Sequence, residues 1–260
     1  LNVPGKFSGN TVLSNGTINL GASQTFANLS GDSAVTTASG SPTLTVNNSS
    51  DTAFSGNIAA ATLAKGGTAA FTVTGSNNLS GNLFVSGGIL TLDSGFISAG
   101  SYCSIGRGGT DNGALTLKGT ATFNGNNDFN VGDVGSSVGA LNVQDTASLT
   151  ANAFYIGSAN AAGSTASGTV NQTGGSVTEL NTTAGTFSIG GRASGTSVGG
   201  VGIYNLSSGT LSAASAIRVG GAGQGIFNQT GGSVVANAGV DIASIAGATG
   251  TYELDGGILQ

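Results

Sequence analysis

Residues 168–177 read GTVNQTGGSV and residues 225–234 read GIFNQTGGSV. A segment that recurs almost letter for letter is the sign of a repeat architecture, and its internal pattern says which one. Alternation with period two puts Val170 and Gln172, and likewise Phe227 and Gln229, on one face of a strand, while Asn171 and Asn228 point the other way. The paired glycines that follow supply a sharp corner. Two diverged copies, IYNLSSGTL from Ile203 and TYELDGGIL from Thr251, keep the same alternation at Tyr204 and Leu206 and at Tyr252 and Leu254. ALTLKGTATF and ALNVQDTASL, from Ala114 and Ala140, extend the series upstream.

Each copy is preceded by a second, shorter anchor: CSIG at 103–106, FNVG at 129–132, FYIG at 154–157, FSIG at 187–190, IRVG at 217–220 and a decayed VDIA at 240–243. The third residues of these anchors, at 105, 131, 156, 189, 219 and 242, are 26, 25, 33, 30 and 23 residues apart. Constant strands joined by loops of variable length give that spacing. A single rung cannot bury its apolar face, but rungs stacked about 4.8 Å apart pair each backbone group above and below. The repeat therefore predicts an all-β parallel β-solenoid with rungs of roughly 23–33 residues, in which Asn stacks on Asn and corner stacks on corner. An antiparallel sandwich would not need the same residue types at the same offset in every unit. The inward amides of Gln172 and Gln229 are expected to bond to backbone groups at the corners, since an unpaired buried amide costs about 1–3 kcal/mol.

Composition agrees. In 260 residues there are 48 Gly and only 2 Pro, 38% hydrophobic and 7% charged letters, and no histidine. Mean hydropathy is slightly positive, which is unlike a disordered chain. Residues 1–80 show the same short alternating segments with less regularity than 81–260, and no break in composition divides them, so the whole of 1–260 reads as one continuous solenoid. No apolar run approaches the roughly 20 residues of a membrane helix. A net charge of −5 with scattered cations argues against nucleic acid and against insertion at an anionic membrane. The chain opens on Leu1 without a signal-type segment, which reads as a processed or excised polypeptide.

The stretch FSGNIAAATLAKGGTAAFTVTGSNNLSGNLFVSGGILTL, from Phe54 to Leu92, resembles the autotransporter-associated β-strand repeat, and the YIG and NQTGG units resemble those of large secreted bacterial repeat proteins. The resemblance implies a right-handed parallel β-helix, exported and displayed extracellularly or at the cell surface. No translocator barrel of the autotransporter kind is evident in the sequence.

Chemistry is sparse. Without histidine there is no imidazole base or ligand for hydrolysis. Cys103 takes an anchor position filled elsewhere by Phe or Ile and reads as a buried small hydrophobe. Asp111, Asp128, Asp133 and Arg107 are charges grouped around consecutive rungs. They read as solvated loop groups, with Asp128 and Asp133 as the one candidate calcium pair; no cofactor and no enzymatic activity are expected.

The leading functional expectation is a secreted structural subunit whose solenoids stack head to tail, as a homopolymer, into an extracellular filament. Its contact residues would be Leu1, Val3 and Phe7 at one end and Tyr252, Leu254, Ile258 and Leu259 at the other. The alternative is an adhesin or surface-display stalk in which the loops at 158–167 and 190–200 contact surface glycans.

Overall fold

A computed structural model of the chain describes residues 5–37, 40–192, 199–243 and 245–260. The strand pairings among them are parallel, and they join almost every strand into one sheet that winds around a single core. The fold is a parallel β-solenoid with three faces, and the sandwich alternative is excluded.

One turn shows the plan. The anchor strand Cys103–Ile105 lies on the first face, Asn112–Lys118 on the second, and the opening residues of Thr122–Val131 on the third; the same strand then bends so that 129–131 start the next turn on top of Cys103–Ile105. Register follows the residue columns anticipated from sequence. On the first face Ile105, Val131, Ile156, Ile189, Val219 and Ile242 pair in succession. The column also runs upstream through Val85, Lys65, Val46 and Phe26 to Phe7. Upstream the steps are 20, 20, 19, 20 and 19 residues, so the spacing of 23–33 holds only from Ile105 onward. The N-terminal rungs, which look less regular as letters, are the more uniform in length; their corners carry few extra loop residues.

The interior is a set of vertical stacks. Phe129, Phe154 and Phe187 lie one above another with ring centroids 5.3 and 5.4 Å apart, and Tyr204, Phe227 and Tyr252 continue at 5.0 and 4.6 Å with nearly parallel rings. Each such pair contributes about 0.5–1.5 kcal/mol beyond its burial. On the outside of the second face the expected asparagine ladder forms. Asn171 Nδ2 donates to Asn142 Oδ1 (3.1 Å), Asn205 to Asn171 (2.9 Å) and Asn228 to Asn205 (2.9 Å).

Corners carry two further columns. From Ser94 onward the bend between second and third faces takes a left-handed residue in each turn: Ser94, Gly119, Asp145, Gly175, Gly209, Gly232 and Gly257 all have positive φ. Buried polar side chains bind the corners together. Gln172 Nε2 donates to Gly175 O (3.3 Å) in its own turn and to Thr210 O (3.0 Å) in the next. Gln229 does the same to Gly232 O (3.5 Å) and Ile258 O (3.1 Å). Asn77 repeats the arrangement with Gly75 O (2.9 Å) and Phe96 O (3.1 Å), and Lys65 with Gly66 O and Gly87 O (3.0 Å). Each donor thus replaces the water its nitrogen loses and links successive turns.

Candidate functional site

The last described turn consists of Val240–Ile242, Thr249–Leu254 and Ile258–Leu259. Ile242, Leu254 and Leu259 stand in interior columns, directly above the fully buried Val219, Gln229 and Val234. They are nevertheless 51%, 48% and 40% exposed. Tyr252 is half-buried, stacks on Phe227 and donates its hydroxyl to Gln229 Oε1. Burial pushes that phenol up to about 12. Ile258 pairs with Ser233 in an outward column, so its exposure belongs to the side of the solenoid and not to the end of the core.

The first described turn mirrors this. Phe7 is 37% exposed and stacks on Phe26 at 4.7 Å with an interplanar angle of 6°. Leu13 and Ile18 are partly buried against the core. Leu1 and Val3 lie outside the described residues. Of the residues expected at the two ends, Phe7, Tyr252, Leu254 and Leu259 continue interior columns. Ile242, Leu13 and Ile18 were missed, although they occupy the third anchor position and the inward positions of alternating segments.

The expected calcium pair is otherwise engaged. Arg192 reaches back two turns across the outside of the first face. Its Nη1 meets Asp128 Oδ2 at 2.8 Å, Nη2 donates to Asn130 Oδ1 at 2.8 Å, Nε donates to Ser158 Oγ at 3.0 Å, and its Cζ sits 3.9 Å from the Tyr155 ring centroid. Asp133 accepts from the Tyr102 hydroxyl and from Ser104 Oγ (3.2 Å). Burial raises its carboxyl above the ordinary range, against the pull of that hydrogen bond and of Arg192. Asp128 and Asp133 are thus committed to different partners. Among the described residues no group of three or more His, Cys, Asp or Glu is placed to hold a metal ion. The arrangement fastens loops over the first face, where Ser104, Asn130 and Ser188 are fully buried.

Arg192 belongs to the loop expected to meet glycans, and its guanidinium is folded down onto the outside of the first face; residues 193–198 of that loop lie outside the described residues. Cys103 is fully buried, and burial pushes its thiol up to about 12, in keeping with a packing role. No helix among the described residues is long and apolar enough to cross a membrane.

The sequence reading also missed a column of glycines, Gly113, Gly139, Gly168, Gly202, Gly225 and Gly250, each opening a second-face strand. A Cβ at Gly168 would fall 1.9 Å from Val131 O, and one at Gly250 2.1 Å from Val219 O. The signal was within reach: Gly168 and Gly225 open the two NQTGGSV segments, and one residue upstream of each of the other four quoted segments stands the matching glycine.

These features define a parallel β-solenoid whose core columns are partly exposed at its first and last described turns. No family model, curated protein or solved structure matches the chain.

Proposed function

We propose that the chain is a structural β-solenoid subunit whose terminal turns are covered by further turns of the same kind, building an extracellular filament by head-to-tail stacking. The observation that carries this reading is the exposure of Ile242, Leu254 and Leu259 directly above the fully buried Val219, Gln229 and Val234 of the same columns. Apolar side chains in an open strand edge are a template for another strand, and a heterologous stack of this type does not close on itself. No catalytic step and no cofactor enter the proposal. Export to the cell exterior follows the resemblance to autotransporter-associated repeats, and immunogold labelling of intact cells tests it.

The same exposure would be met if the turns continued within a longer surface polypeptide, giving the stalk of an adhesin that engages surface glycans. Electron microscopy of the concentrated, unfixed 260-residue chain separates the two. Long fibres of uniform width that lengthen with concentration support the filament. Short single rods at every concentration overturn it and favour the stalk.

A further inference from the structure

The filament reading leaves open which surfaces meet and in what register, and the residue columns answer both. Followed through successive pairings, the column ending at Ile242 begins at Phe7. The column ending at Leu254 begins at Leu13. The column ending at Leu259 runs back through Val234, Leu211, Val177, Leu149, Phe123, Ile97 and Asn77. The bond from Asn78 N to Ile58 O (2.8 Å) carries it on to Ile58, Val35 and Ile18.

We infer that the first turn of a second copy sits on the last turn of the first with these columns unbroken: Phe7 on Ile242, Leu13 on Leu254 and Ile18 on Leu259. Because the three faces are shared by both turns, this register closes all three apolar gaps at once. A slip of one residue would turn every interior position outward.

Charge fits the same register. The outward first-face column begins at Lys6 and ends at Asp241, through Thr25, Thr45, Ala64, Phe84, Ser104, Asn130, Tyr155, Ser188 and Arg218. Asp241 lies 3.5 Å from Arg218 below it and its side chain remains 45% exposed; Lys6 is exposed. Stacking in this register places Lys6 of one copy over Asp241 of the other, one strand spacing of about 4.8 Å away. The carboxylate is then held between a cation below and a cation above. On the second face the outward column brings Val12 over Glu253, a place where a cation is missing.

The proposal rests on the filament reading, and its test separates the two. Fibre mass of the 260-residue chain is measured by sedimentation against concentration at low salt, where charge contacts are least screened. Lys6→Glu sets like charges in contact and should raise the critical concentration about tenfold. Adding Asp241→Asn to that variant removes the repulsion and should recover most of the loss, while Val12→Lys supplies the missing partner of Glu253 and should lower the critical concentration. An unchanged melting curve of unassembled Lys6→Glu confirms that the variant folds. If the parent assembles and Lys6→Glu assembles equally well, or Asp241→Asn restores nothing, the register is wrong while the filament stands. If the parent never assembles, the filament reading itself fails and the register with it.

Discussion

Polar side chains inside the solenoid show what each buried group must do to be tolerated. Tyr204 is fully buried, and its hydroxyl donates to Gln172 Oε1 at 2.6 Å while the Gln172 nitrogen spans two turns. Removing one partner strands the other, at about 1–3 kcal/mol. Tyr204→Phe and Gln172→Leu should each destabilise by that order. In a double-mutant cycle the pair should cost about 1 kcal/mol less than the sum, whereas strictly additive urea midpoints would mean the two side chains do not interact. Lys65 extends the argument to pH. Burial pulls its ammonium down from 10.5 to about 8, with Asp51 pulling the other way. Between those values this group binds more protons in the unfolded chain than in the folded one, so its contribution to stability rises with pH across that window. The difference in urea midpoint between the parent and Lys65→Met should widen in favour of the parent from pH 8 to about 9.5; the buried Cys103 thiol, which ionises more readily in the unfolded chain and lowers stability across the same window, cancels in that difference. Lys65→Met should be the less stable at pH 9.5, because Gly66 O and Gly87 O lose their donor. A difference that does not change with pH would contradict the buried position.

At the scale of the element, close approach between faces fixes where a strand can start. The anchor glycine Gly157 has φ 62° and donates to Val131 O at 2.7 Å, while Gly168, opening the following second-face strand, comes against that same carbonyl. Two backbones meet there with no room for a side chain. Gly168→Ala should cost about 1–3 kcal/mol or more through overpacking, read from a chemical melt. A neutral result would show that the strand can shift outward. The anchor column ends in Ala243, held at φ 51°. At the earlier anchors a Cβ would meet the second-face strand of the following turn, Val201 O at 2.1 Å from Gly157 and Thr249 O at 2.3 Å from Gly220; among the described residues no strand occupies that place above Ala243, and the Cβ is tolerated.

On the scale of the molecule, the strands of each turn pair only with the turns beside it, and Arg192 reaches one turn further, so stability adds along the axis nearly as a one-dimensional stack. Damage should therefore stay local near an end and spread from the middle. Gly250→Ala introduces the same kind of clash as Gly168→Ala. It should abolish amide-exchange protection in 249–260 and leave 122–219 protected, while Gly168→Ala should lower protection on both sides of the substitution. Equal loss everywhere from Gly250→Ala would mean the solenoid melts as one unit.

Much of this was legible in the letters because a stacked repeat writes its structure locally: NQTGGSV already contains an inward position, an outward Asn, a corner amide and a left-handed turn residue. The columns, the asparagine ladder and the bonding of Gln172 and Gln229 follow from period-two alternation and from the cost of burying an unpaired amide. The uniform early turns were less legible, since Lys65 stands where Val and Ile stand elsewhere and masks the column. Contacts between faces were not legible at all. Arg192 is 62 residues from Asn130 and 64 from Asp128, a distance no local pattern spans, and only the winding of two intervening turns brings them together. The sequence by itself determined the repeat, the alternation and the corners, because these are set by neighbours along the chain. Tertiary structure alone decided which loop covers the first face, that Asp128 and Asp133 serve different partners, and that Lys6 and Asp241 share a column. Those depend on how many residues each turn spends before it returns to the same face.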